Sequence, residues 1–372
     1  MKKMSDKQLQ KAGDNSQQIQ AQNVYIENGI SEQRVREICS EVASKAIADN
    51  TFEANDTAMQ RIERFVDLLL PRIQRIEKDF SSFSDPAFQV LLRKAQLASA
   101  CTERESDYSI LSELLVHRVK NKSNIKKKAS ITKAVEIVDQ IDDDSLAAIT
   151  MFLSVETFIP LSGRISEGIA VLSELYKKIG PELLPQNDMW IDNLSILGAI
   201  SVVHFSKVDR YEELLAKQLD GYCCAGIRKD STEYKKAIEL LQETQINTAV
   251  LIDNELLDGY VRLQINERKE IENLAYSKHV LINGHYQLVN QKFSEKQKNC
   301  LYEVMNLYTT DKTIIETVKR NMIELLDSFD PISKVRKWWN ELPVNIRLSS
   351  IGRVIAHTNA KSIDPKLPDL DD

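Results

Sequence analysis

Few residues in this chain of 372 are suited to chemistry, and most stand in spacings that leave a site unfinished. Gly221 to Arg228 reads GYCCAGIR: the glycines are set as in a phosphate-binding loop, but Ile227 and Arg228 stand where a lysine and a hydroxyl must meet phosphate and magnesium. Adjacent Cys223 and Cys224 offer a strained redox disulfide or a nucleophile beside Arg228; small buried residues in a tightly packed segment are the plainer reading. Asp258, followed by Glu267 and Lys269 in E-x-K spacing, resembles the acids of metal-dependent nucleases. That chemistry sets its acids on a strand hairpin, whereas this segment reads as helix. His117, His204, His279, His285 and His357 are too dispersed for a local zinc motif, and no G-x-G-x-x-G, G-x-S-x-G or H-E-x-x-H occurs. No catalytic residue, metal ligand or cofactor is assigned.

Two further groups point to binding. Lys120, Lys122, Lys126, Lys127 and Lys128 lie within VKNKSNIKKK, with Ile125 among them and no aromatic residue. They offer salt-sensitive phosphate contacts to a nucleic acid, or else a solvated linker. Trp338 and Trp339, beside Arg336 and Lys337, could stack on a base, but burial of at least one indole in the core is the simpler expectation. A net charge of −6 argues against a surface that is basic throughout.

The elements that must carry these residues read as helices. Apolar residues are 42% and charged residues 28%, an ordinary globular balance. Apolar positions recur at three and four, and helix punctuation is frequent: Ser31 as N-cap with Ile30 and Val35 as a staple, Asp85-Pro86 and Asp330-Pro331 as helix starts, Ser294 to Gln297 as a capping box, Gly180-Pro181 as a stop. Pro71 is expected to kink or divide its helix. In IRLSSIGRVIAHTN, Leu348, Ile351, Val354 and Ile355 share a helical face, with Gly352 admitting a close neighbour. About fifteen helices follow from this pattern. The fold class is mainly α, an irregular multi-helix assembly with a short N-terminal β ribbon and a small hairpin near residues 280–289, where Asn283-Gly284 fits a two-residue turn or, equally, a helix C-cap. The expected division is a tail and ribbon over 1–30, helical regions over 31–120 and 129–372, and a basic linker or loop over 121–128. The five cysteines lack C-x-x-C spacing, the first residues lack a secretory apolar run, and no stretch reaches membrane-spanning length, so a cytoplasmic protein is expected.

The ribbon, GDNSQQIQAQNVYIENG, alternates at Ile19 and Ala21, changes phase at Asn23 and continues at Val24 and Ile26. Two short strands cannot hold alone in water. Three outcomes are therefore open to the ribbon: docking on a hairpin of its own chain, a flexible tail, or pairing between copies; pairing between copies is favoured, which makes the chain a homo-oligomer. DKQLQKAGDNSQQIQAQNVYIENGIS resembles the start of an uncharacterised bacterial family with a D-K-Q-x-Q-x-x-G-D-N-S-x-x-I-Q-A signature, and DPAFQVLLRKAQLASA, LSELLVHRV and LSSIGRVIAHTNAK extend the likeness. The resemblance implies no activity. It implies an apolar, aromatic C-terminus, from which LPDLDD departs, and an accessory-genome setting where anti-phage genes gather. The function expected is a non-enzymatic, self-associating scaffold or sensor in such a setting. An effector enzyme or toxin with a dispersed site, and a nucleic-acid binder through residues 120–128, are the alternatives.

Overall fold

In the computed structural model of the protein the described residues are 30–46, 52–121, 123–203, 208–282 and 285–370. Among them the helices are α1 (Glu32–Ala46), α2 (Phe52–Gln74), α3 (Pro86–Cys101), α4 (Glu105–Lys120), α5 (Ile125–Ile137), α6 (Asp143–Thr157), α7 (Ile165–Ile179), α8 (Met189–Ile196), α9 (Tyr211–Gln218), α10 (Thr232–Glu243), α11 (Glu295–Met305), α12 (Lys312–Asp327), α13 (Asp330–Asn340) and α14 (Ser350–Ile363). Their starts follow local chemistry. Ser31 Oγ accepts from Arg34 N at 3.2 Å, the Asp85 side chain accepts from Ala87 N ahead of Pro86, and Ser294 and Gln297 cap each other's backbone. α7 stops at Gly180, φ 92°. Two details differ from expectation: Phe329, not Asp330, holds the N-cap of α13, and Pro71 lies inside α2 without dividing it.

The β content is larger than the sequence pattern suggested. Strands β1 (Ile200–Val203), β2 (Ile227–Arg228), β3 (Leu251–Asp253), β4 (Tyr260–Leu263), β5 (Ala275–Ile282), β6 (His285–Lys292) and β7 (Asn345–Leu348) form three antiparallel sheets, β1-β7, β2-β4-β3 and β5-β6. The β5-β6 pair is the expected hairpin, extended to residues 275–292, with Ile282 opposite His285. The segment around Asp258, read as helix, is instead the β3-β4 hairpin. Runs of three or four apolar residues carry too little periodicity to separate the two states. Leu348 likewise belongs to β7, where it and Ile346 are buried on either side of exposed Arg347, and α14 begins behind it at the Ser349 cap. Gly352 then lets α14 approach β1: a Cβ there would lie 2.0 Å from Ala199 O.

One apolar core runs from Val35 to Ala360, and a second, smaller one is built by residues 227–304. Helices α4 and α5, on either side of residues 121–124, both enter the first core. Trp339 is buried there, stacked on Phe152 at 4.8 Å and donating Nε1–H to Asp209 O, while Trp338 sits 6.0 Å from Trp190. Beside the second core, Arg262 is fully buried. Its Nη1 donates to the carbonyls of Gly221, Leu263 and Ile265, its Nη2 to that of Gly163, and its guanidinium lies 5.5 Å from the Tyr222 ring centre.

Candidate functional site

Helix α4 ends at Lys120, where Asn121 N donates to His117 O. The chain turns, and Asn124 Oδ1 accepts from Lys127 N to start α5. The first turn of α5 therefore carries Lys126, Lys127 and Lys128 and no acid. Cations at the positive end of a helix dipole oppose helix stability.

The start of α14 comes alongside. Ser130 Oγ lies 2.9 Å from Ser350 Oγ, and Arg353 follows one turn later. Between α4, α5 and α14 lies an open depression of about 340 Å³, with Lys126, Lys127 and Arg353 as its cations and Ile131, Val354 and Leu370 as its apolar wall. Arg353 Nη2 is 4.0 Å from Glu156 Oε2. Burial pushes the Glu156 carboxyl up, and the nearby Arg353 and Arg347 charges oppose that rise.

The C-terminal segment is seated at the same corner. Arg353, His357 and Lys361 recur every four residues and so form one stripe along α14. Asp369 Oδ2 is 3.2 Å from Lys120 Nζ, and its other oxygen is paired with Lys361 Nζ. His357 Nε2 is 2.9 Å from Pro368 O; a carbonyl can only accept, so Nε2 carries the proton. Leu367 and Leu370 pack on the first core. Upstream, Lys178 Nζ bonds Asp364 Oδ2 at 2.8 Å and holds that carboxyl below its usual range.

The structure thus brings Lys126 and Lys127 to the depression and Lys120 to Asp369 beside it, with Lys128 in the same first turn of α5. Lys122 and the ribbon residues Ile19, Ala21, Val24 and Ile26 lie outside the described residues. Sequence reasoning missed Arg353, Lys361 and Asp369, although the four-residue stripe in GRVIAHTNAK was a visible signal.

The other candidates do not converge. Cys223 and Cys224 are free thiols, each pushed up to about 12 by burial, and Cys224 Sγ donates to Gly221 O at 3.2 Å; protonated thiols are poor nucleophiles. Asp258 precedes β4 and Glu267 follows it, so the four-residue strand, roughly 13 Å long, separates them. The His117 and His357 rings are 6.3 Å apart, edge to face. Among the described residues no group of three or more His, Cys, Asp or Glu is placed to hold a metal ion, and no helix is long and apolar enough to cross a membrane.

Comparison with known proteins adds a family but no activity. A protein-family model with no activity in its description matches residues 29–370, a range that starts at Gly29, the last residue of the ribbon. No curated protein matches, and no solved structure does.

Proposed function

The chain belongs to the family whose model matches its residues 29–370, and on that footing we propose that it works by binding, as a scaffold or sensor that takes an anionic partner at the basic corner. The observation that carries this reading is the depression between α4, α5 and α14, where cations from separate elements meet around an apolar wall. Opposed cations on a helix N-terminus cost stability, and an anion recovers it. The test is fluorescence polarisation of the full chain with two labelled polyanions, a polyuridine 20-mer and a polyglutamate, at low and physiological salt. At least one probe should bind, more weakly at the higher salt, and Lys126→Glu with Arg353→Glu should weaken it at least tenfold. Absence of binding, or binding indifferent to both substitutions, overturns the reading.

A second reading is self-association through the ribbon at Ile19, Ala21, Val24 and Ile26. It is favoured by the β5-β6 sheet, which has only two strands and so leaves each with an edge unpaired by any other described strand. Light scattering of the full chain and of a chain lacking residues 1–30 decides it: equal, monomeric masses exclude it. A defence setting predicts that phage plating falls in cells carrying the gene and recovers when the ribbon is deleted.

A further inference from the structure

We infer that the basic corner is a receptor for a short acidic peptide that alternates leucine with aspartate, and that the chain's own segment Asp364–Leu370 is its tethered occupant. This rests on the reading of the corner as an anion site and names the partner.

The segment is held as a bound peptide would be. One carboxylate, Asp369, bridges lysines from two helices, Lys120 of α4 and Lys361 of α14. One backbone carbonyl, that of Pro368, is read by the ring of His357, which is itself 2% exposed and fixed in the core. Two leucines, Leu367 and Leu370, flank the aspartate and rest on apolar side chains. Charge, backbone and side-chain contacts therefore alternate along four residues, a pattern that selects a peptide.

Leu370 itself lines the depression, together with Lys126, Arg353, Ile131 and Val354. A partner with another acid after its second leucine would engage these cations while its leucine covered the apolar wall. A single-stranded nucleic acid fits less well: none of the side chains lining the depression is Phe, Tyr or Trp, and base stacking supplies much of such binding.

The occupant is also replaceable. Half-exposed ion pairs are worth about 0–1 kcal/mol each, and the leucine and carbonyl contacts are ones a free peptide can reproduce, so the segment's advantage is its tether, at an effective concentration on the order of millimolar. A free peptide of the same chemistry must outcompete it, which makes the segment a threshold on partner binding.

The experiment uses the full chain with three labelled probes: the heptapeptide KLPDLDD, its scrambled form, and the polyuridine 20-mer. In Asp369→Lys, and more mildly in Asp369→Asn, the corner should be vacated and KLPDLDD should bind at least tenfold more tightly than to the unmodified chain. The scrambled peptide should bind more weakly, and adding Lys120→Glu and Lys361→Glu should remove binding. Thermal melts of each variant establish that it is folded. No gain for KLPDLDD, or equal binding of the scrambled peptide, overturns the inference; if polyuridine or polyglutamate still binds the unmodified chain, the anion-site reading survives that failure. Loss of every probe overturns both.

Discussion

Arg262 and the lysines of the basic corner are cations in opposite circumstances. Arg262 has no exposed surface and meets backbone carbonyls of Gly163, Gly221, Leu263 and Ile265, partners that cannot leave. Lys120 and Lys361 meet one carboxylate on the segment after α14, a partner that is itself partly exposed. A buried charge is tolerated only where fixed dipoles replace water, and Arg262 is closed to a ligand by its burial, although its Nε meets no acceptor. Burial accordingly lowers the pKa of Arg262, yet nothing about it is exchangeable. The half-exposed lysines contribute little to folding and, on the proposed reading, are the ones a partner would meet. On that reading the position of a charge, more than its sign, separates structure from recognition.

The contrast can be broken most severely at Arg262. Arg262→Met should cost about 3–5 kcal/mol, because several carbonyls lose their donor in a site closed to water; urea unfolding measures it. Gly352→Ala comes next. Its new Cβ meets the backbone oxygen of Ala199, so α14 must move, at about 1–3 kcal/mol, and polyanion binding should weaken with it because Arg353 moves too. Lys120→Gln should change stability by less than about 1 kcal/mol while measurably weakening the binding of KLPDLDD to the Asp369→Asn chain, and equal losses at Lys120 and Arg262 would erase the distinction. The smallest effect is that of pH on Asp364. Its folded-state value is depressed by Lys178, so its contribution is fully present above the ordinary aspartate value and is lost as pH falls through the depressed one. Hydrogen exchange at Leu367, corrected for intrinsic rate, should lose protection over that window in the unmodified chain and show no such step in Asp364→Asn.

Most of the helical frame was legible because its signals are local. Ser294 and Gln297, or Asp85 and Pro86, declare a helix start within four residues, and the close approach at Gly352 was readable from its place among Ile351, Val354 and Ile355. The strands were not. β1 finds its partner β7 more than a hundred residues away, and β4 is four residues flanked by β2 and β3, so neither leaves a periodic trace long enough to read. The site divided the same way. Lys126, Lys127 and Lys128 stood out as a run, whereas Arg353 and Asp369 acquire meaning only when α14 and the segment after it fold back on α4 and α5. The indoles of Trp338 and Trp339 showed the reverse: conspicuous in sequence, they are core.

The pairing of Ile200 with Leu348 and of Val203 with Asn345 has a consequence for synthesis. A ribosome adding roughly 5–20 residues per second releases β1 on the order of 7–30 s before β7 exists to meet it. Until then α4 and α5 lack the helix that completes their corner, since α14 follows β7 directly. An interrupted translation product would carry the conspicuous lysines without Arg353, His357 or Lys361. The corner is therefore acquired only after α14 has been made, and partner binding at it would distinguish chains that have reached α14 from those that have not.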